Sequence, residues 1–450
     1  MSDELKKEHA EQERLSLWQN FKLLNKSRGY RAVNIANFGD GIAYFGLLSL
    51  LTLFLEHNVG MSEQASGVAT SVFTGIVTVA VFTGAGFAVD WLGVRRGLNL
   101  ALILILGGRV LIGLAPGAPS ATLFAWSGLV VLGLGEAVIQ PALYAGAKEY
   151  ADERTSTMAY ALIYAIMNLG IVIEHAASPL LREWFRAREN DPHPSAGGIT
   201  GVYWVLSGVT TLMLLSNLLT FTKKVEREDR VASDSPRPAE RSSRIAALLD
   251  PRFLFFIFVL LPVRTLFAHQ WLTMPSYVTR CFPKAVGQRY EWISGLNPLV
   301  VTIGVPAIAA MTRGVNVIKM MIIGTSISAL ATLLLCTEPN LTLLVAYVLI
   351  FSLGEAVWSS RFLEYVAELA PTGQVGAYMG IATLPWFLAK TTTGFYSGAM
   401  IAHYLPKDGA QQPATMWTIY FAMAIISPIG LIIARKWIAR GTPTPGEARA

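Results

Sequence analysis

Leu134-Gly135-Glu136-Ala137-Val138 recurs far along the chain as Leu353-Gly354-Glu355-Ala356-Val357. The correspondence continues without a gap to Glu149-Tyr150-Ala151 against Glu368-Leu369-Ala370. Each copy lies in a long run with few charges, and each carries one acid in its middle. One segment repeated in both halves of a chain points to two structural repeats related by an axis along the membrane normal.

The composition around these runs agrees. Of 450 residues, 15% are charged and 53% are hydrophobic, whereas soluble globular proteins carry about 25% charged residues. A soluble core cannot absorb so much apolar sequence. The chain reads as a polytopic membrane protein, which excludes a disordered chain, a secreted disulfide scaffold and a nucleic-acid binder. Most of the 36 Lys and Arg fall in the N-terminus, the even-numbered loops and the C-terminus. By the positive-inside rule both termini are expected in the cytoplasm. Cys281 and Cys336 lack metal-ligand spacing and are expected to be free thiols. Leu17, Trp18, Phe21 and Leu24 recur at helical spacing near Lys22, Lys26 and Arg28, which suits a short helix on the membrane surface.

The hydrophobic pattern predicts an all-α integral membrane fold of twelve transmembrane helices in two six-helix bundles. The expected spans are Ala32–Glu56, Glu63–Val89, Leu98–Leu114, Ala121–Gly146, Thr157–Ala177 and Gly201–Thr220, then Phe253–Cys281, Tyr290–Met311, Val317–Cys336, Leu341–Ala367, Ala377–Tyr404 and Thr415–Arg435. The bundles are expected over 32–222 and 252–436. A polar linker over 223–251, expected to be disordered in part or a surface helix, joins them. Residues 1–31 and 437–450 are read as cytoplasmic ends.

Between the second and third spans the chain reads Gly86-Phe-Ala-Val-Asp90-Trp91-Leu-Gly93-Val-Arg95-Arg96. Gly86 permits close helix approach. Asp90 lies where a helix N-terminus or an arginine can hold it. Gly93 makes the turn, and Arg95 and Arg96 hold the inner face. The stretch closely resembles the loop G-x-x-x-D-[RK]-x-G-x-[RK]-[RK] of the major facilitator superfamily, with Trp91 in place of a cation. The resemblance implies the major facilitator fold, a central cavity lined by spans one, four, seven and ten, and a gating role for these five residues.

Ionisable groups at bilayer depth cost several kcal/mol unless paired or wet, so each is a candidate site residue. They are Asp40, Arg109, Glu136, Arg264, His269, Glu355, Arg361, Glu364 and Lys390. Most fall on spans one, four, seven and ten. Arg109 is read as a structural partner because its span is peripheral. Arg361 and Glu364, three residues apart, form either a local pair or part of the site. His269 beside Gln270 is read as a proton-sensitive group or a hydrogen-bonded one.

Several segments resemble the proton-dependent oligopeptide transporters, a branch of the superfamily. They are Leu296-Asn297-Pro298-Leu299 with Pro306, Tyr164-Ala-Ile-Met-Asn168-Leu169-Gly170, Gly354-Glu355 with Ser359, Leu369-Ala370-Pro371, Gly376-Ala-Tyr-Met379-Gly380 and Tyr44-Phe45-Gly46. The resemblance implies that Glu355 holds a peptide amino terminus, with Ser359 and Tyr44 beside it. It departs at the coupling chemistry. The family's E-x-x-E-R reads Asn37-Phe38-Gly39-Asp40-Gly41 here, and its span-four lysine reads Gln140. Arg264, Arg361 and Lys390 are the candidate replacement cations.

The reading is a secondary transporter, not an enzyme, moving a small peptide or peptide-like zwitterion by alternating access. The expected substrate residues are Tyr44, Glu136, Gln140, Arg264, Gln270, Asn297, Glu355, Ser359 and Lys390. The expected proton-coupling residues are Asp40, Glu136, His269, Glu355 and Arg361. Partners are a small-molecule substrate, protons and the bilayer of a bacterial inner membrane, with a functional monomer. No cofactor, metal or nucleic acid is expected. The alternatives are a drug or metabolite exporter and, in a different class, a non-transporting sensor on a transporter fold.

Overall fold

The computed structural model describes residues 17–80, 89, 91–151, 155–189, 197–230, 251–312, 315–369 and 384–439. Within them every regular element is a helix. The first half holds α1 (Arg28–His57), α2 (Glu63–Ala80), α3 (Val94–Leu114), α4 (Ala121–Glu149), α5 (Ser156–Glu189) and α6 (Ile199–Thr220). In the second half α7 comprises Pro251–Phe258, Leu261–Leu272 and Met274–Cys281, and α8 comprises Tyr290–Ser294 and Leu296–Met311. Then follow α9 (Val317–Ala331), α10 (Leu341–Leu369), α11 (Leu384–Tyr404) and α12 (Pro413–Ala424 with Ile426–Ala439). A short helix over Leu17–Leu24 packs on α5, where the surface helix was expected.

The repeated segment does the same packing work in both halves. A Cβ on Gly135 would sit 2.8 Å from Ile105 N of α3, and one on Gly354 would sit 2.6 Å from Ser328 N of α9. Each glycine lets its helix lie against the preceding one, and the adjacent acid turns into the bundle. The halves then meet along α2–α11, α5–α8 and α1–α7.

Among the described residues, nine stretches are long and apolar enough to cross a membrane by themselves. Helices α2, α8 and α11 fall outside that group. All three pack across the seam between the halves; in α2 and α11 small and polar residues replace Leu, whereas α8 is apolar but its unbroken segment has only 16 residues. A Cβ on Gly67 would lie 2.7 Å from Gly394 O, and one on Gly398 would lie 2.5 Å from Glu63 O. Gly398→Val should therefore destabilise the α2–α11 contact by about 1–3 kcal/mol, as overpacking does. Spin labels on the facing ends of the two helices would report a longer mean distance.

Two departures from the expected spans have physical causes. Helix α5 runs to Glu189 rather than Ala177. Its buried polar residues Glu174, His175 and Arg182 interrupt the hydropathy but find partners in the fold. Helix α7 is broken before Pro262 and before Pro275, each the second residue of the segment it opens. Proline lacks the N–H that would continue the preceding turn.

The linker begins as a surface helix, Lys223–Glu228, whose first turn is capped by Thr222. Its acids bind the N-terminal half: Glu226 to Arg95 at 3.0 Å, Glu228 to Arg28 at 2.9 Å, and Asp229 accepts from Gly29 N at 2.9 Å. Residues 231–250 of the linker lie outside the described residues.

Candidate functional site

Odd-numbered helices run away from the end that holds the N-terminus, so each half has a proximal end there and a distal end opposite. Counted back from the distal helix ends at 1.5 Å per residue, Asp40, Glu136, Glu355 and Lys390 all lie about 20–25 Å deep. They form one charged layer near mid-membrane.

In the N-terminal half Gln140 Nε2 donates to Asp40 Oδ2 at 3.3 Å, and Asp40 Oδ1 is buried without a partner. Glu136 pairs with Arg109 at 3.3 Å. Arg109 is buried and also donates to Thr210. It is thus the structural counter-charge that its peripheral span suggested. A buried carboxylate so held resists leaving its partner, since a charge stripped of its mate costs several kcal/mol.

In the C-terminal half Asn297 Nδ2 donates to Glu355 Oε2 at 2.7 Å and to Ser352 Oγ at 2.9 Å. Pro298 follows Asn297 in the first turn of the main α8 segment, and this turn aims the amide at α10. Arg264 on α7 lies over the rings of Phe362 at 4.6 Å and Trp358 at 5.2 Å. It is within electrostatic reach of Glu355, yet the two form no ion pair within 4 Å. Ser359, one turn from Glu355, has a buried hydroxyl with no partner.

Lys390 is the least expected environment. Its ammonium donates to Tyr44 OH at 3.1 Å and has no carboxylate within 4 Å among the described residues. Five rings surround it: Trp386 at 4.9 Å, Trp271 at 5.0 Å, Tyr44 at 5.1 Å, and Phe45 and Phe387 at 5.9 Å. Ring faces attract a cation, by up to about 2 kcal/mol when water is excluded. They supply no full counter-charge. Lys390 also lines a small pocket with Thr70, Thr74 and Trp271.

Other expected site residues lie elsewhere. Gln270 donates to Tyr347 OH at 3.0 Å and is buried. His269 is bonded at Nδ1 to Thr273 (2.8 Å) and at Nε2 to Tyr396 (3.1 Å), with its ring stacked on Tyr420. Both ring nitrogens are thus engaged within the fold. Gly93 has φ of +78° at the start of α3, which favours glycine. Arg95 reaches the linker acid Glu226, and Arg96 is exposed. Gly86, Asp90 and the side chains of Arg361 and Glu364 lie outside the described residues.

Sequence reasoning missed the distal closure. Every ion pair between described residues of the two halves lies there. Arg280 of α7 bridges Glu56 at 3.2 Å and Glu63 at 2.9 Å, and Lys407 stands 3.9 Å from Glu63. Arg182 of α5 meets Glu291 of α8 at 2.5 Å, and Tyr290 donates to Ser49 O. The signal available was the set of Lys and Arg on the face where few were expected. The structure is a distal-closed state.

The model of the family described as Major Facilitator Superfamily matches residues 33–282. The chain belongs to the Major Facilitator Superfamily. Within this superfamily it is similar to Solute carrier family 15 member 2 of Rattus norvegicus, 27% identical over 190 residues, which is 40% of this chain and 26% of that protein. It is also similar to Dipeptide and tripeptide permease B of Xenorhabdus bovienii, 28% identical over 145 residues, 32% of this chain and 29% of that one. The chain thus spans little more than a quarter of the length of these curated relatives. Among solved structures, a peptide transporter POT in complex with sulfate superposes with a TM-score of 0.70 at 15% identity, covering 92% of this chain and 96% of that one. A POT family transporter in complex with 5-aminolevulinic acid gives 0.66 at 15% identity, covering 92% and 97%. The fold is the twelve-helix major facilitator fold of a multi-pass membrane protein.

Proposed function

We propose that this chain is a secondary transporter that carries a small peptide or peptide-like zwitterion across a bacterial inner membrane by alternating access. The reading rests on one observation. A buried carboxylate, Glu355, shares one layer with a buried cation, Lys390, and neither it nor the buried Arg264 forms an ion pair there. Charges held apart at bilayer depth are costly. A zwitterion bridging them relieves both. Glu355, oriented by Asn297 with Ser359 beside it, takes the amino group. Lys390, with Tyr44, takes the carboxylate, and Arg264 a carbonyl or a second acidic group.

Asp40 and Glu136, in the same layer, and Gln140, which donates to Asp40, complete this reading. The Glu136–Arg109 pair and the half-satisfied Asp40 are the acids that would take up and release protons as the halves rock. Asp90, Arg95 and Arg96 would close the proximal end in the opposite state, with both termini cytoplasmic and a monomer as the working unit.

Uptake of a labelled dipeptide into proteoliposomes, with and without an inward proton gradient, tests the proposal. Gradient-driven accumulation is the expected result. Accumulation seen only as counterflow keeps the peptide site and removes the proton coupling. No peptide movement by a folded, inserted protein rejects the peptide reading.

A further inference from the structure

Helix α5 carries a titratable pair that neither the substrate layer nor the distal ion pairs use. Glu174 and His175 are each 3% exposed. His175 Nδ1 lies 2.9 Å from Glu174 Oε2 and 3.0 Å from Ile171 O. A carbonyl and a carboxylate only accept, so Nδ1 carries a hydrogen in either charge state of the ring. Both oxygens of Glu174 are buried without a hydrogen-bond partner. The nearest source of counter-charge for this acid is the imidazole beside it.

Two glycines from two helices make room for the pair. A Cβ on Gly46 of α1 would lie 2.8 Å from Glu174 Oε1, and one on Gly295 of α8 would lie 2.8 Å from His175 Cβ. Glu174 thus packs within the N-terminal half, while His175 meets the C-terminal half across the seam. Gly46 follows Asp40 on α1 by six residues, which puts the pair about 9 Å distal to the charged layer.

On α5 itself Arg182 lies two turns beyond the pair. From α8 come Glu291, which meets Arg182 at 2.5 Å, and Tyr290, which donates to Ser49 O of α1. From α6 comes Tyr203, which donates to Leu47 O at 2.9 Å. The charged and phenolic groups of α1 are engaged elsewhere: Asp40 by Gln140 of α4, Tyr44 by Lys390 of α11 and Glu56 by Arg280 of α7. Glu136 of α4 is held by Arg109. Phenols are uncharged near neutral pH. Among the described residues the closed seam therefore encloses two carboxylates, one guanidinium and one imidazole. With a neutral ring one carboxylate is unmatched in a dry contact, which is costly. A second proton, on Nε2, evens the count. The imbalance is created by closure, because Glu291 arrives with α8 while Glu174, His175 and Arg182 all belong to α5.

We propose that Glu174 and His175 form a proton-binding site at the distal gate. One proton, taken up from the distal side, matches the charge that Glu291 brings and holds the seam of α1, α5 and α8 closed. Protonation favours the closed state, so this contribution is present at low pH and is lost as the pH rises through the range of the imidazole, near 6.5 for an unperturbed ring. Opening returns the proton to the side it came from, so it sets the gate and is not carried. The site is separate from Asp40 and Glu136.

The test uses the full chain in nanodiscs and reads conformation instead of transport, so it does not depend on the peptide reading. Spin labels at Ser120→Cys and Thr337→Cys, both exposed at the distal end, with Cys281 and Cys336 replaced by serine, report the distal distance from about pH 5 to 8. The closed-to-open ratio of the parent should rise as the pH falls, by up to about tenfold per unit for one proton. Glu174→Gln removes the unmatched acid, and should stay mainly closed with little response to pH. His175→Gln keeps the acid and loses the titrating ring, and at pH 5 its ratio should fall about tenfold or more below that of the parent. If His175→Gln does not fold, the isosteric Glu174→Gln decides alone. A parent whose distal distance ignores pH would overturn the proposal. So would a pH response that survives in the variants, which would place the proton on Asp40, Glu136 or Glu56.

Discussion

Glu355→Gln should lower dipeptide uptake about 100-fold while leaving the fold and the distal closure intact. The substitution keeps the size of the side chain and an oxygen that can accept from Asn297 Nδ2 at 2.7 Å. It removes only the charge that a substrate amino group would meet. A hydrogen bond to a charged group contributes up to about 3 kcal/mol, and in a water-poor layer the loss falls at the upper end of that range. The effect should appear in KM for uptake and equally in counterflow, since both need the occupied site. An analogue lacking the amino group should move at similar low rates through the parent and the variant. Unchanged uptake in the variant would remove Glu355 from the site, and with it the peptide reading.

The fold was legible because membrane burial writes itself in long apolar runs and because the repeat tied the fourth span to the tenth. Glu355 and Asn297 were legible too, as single positions in short motifs. What the sequence did not disclose was how charges meet. Arg109 and Glu136 are far apart in the chain and were read separately. The box around Lys390 takes rings from α1, α7 and α11, and no local pattern joins Tyr44, Trp271 and Trp386. The end of α5 was hidden for another reason. Glu174, His175 and Arg182 read as the edge of the membrane, because hydropathy treats a polar residue as solvated. Here they are buried, and Arg182 is neutralised by a residue more than a hundred positions away. For His269 the sequence showed a position on a lining helix but not the partners that enclose its ring, Thr273, Tyr396 and Tyr420.

The largest effect on the conformational equilibrium should come from Arg182→Met. Glu291 is 0% exposed, and its side chain meets Arg182 at 2.5 Å across the α5–α8 seam. Removing the guanidinium leaves a carboxylate with no charge partner in a dry contact. Breaking a buried pair in this way costs about 3–5 kcal/mol. That cost is borne mainly by the distal-closed state, because opening the seam hydrates Glu291. The closed-to-open ratio should fall by more than a hundredfold, since each 1.4 kcal/mol is a factor of ten. Labels at Ser120→Cys and Thr337→Cys would then report the longer distal distance as the main population. The double variant Arg182→Met/Glu291→Leu separates charge from packing. With both ions gone the contact is apolar, and such replacements are often neutral or stabilising, so the short distance should return. By contrast, Arg280→Gln should shift the balance in the same direction but less far. Glu56 is buried and loses its ion-pair partner, yet the glutamine amide can still donate to it, and Glu63 keeps Lys407 at 3.9 Å. An Arg182→Met protein that stays closed would place the energy of the distal gate in the helix contacts at Gly67, Gly394 and Gly398 instead of in the buried ion pair.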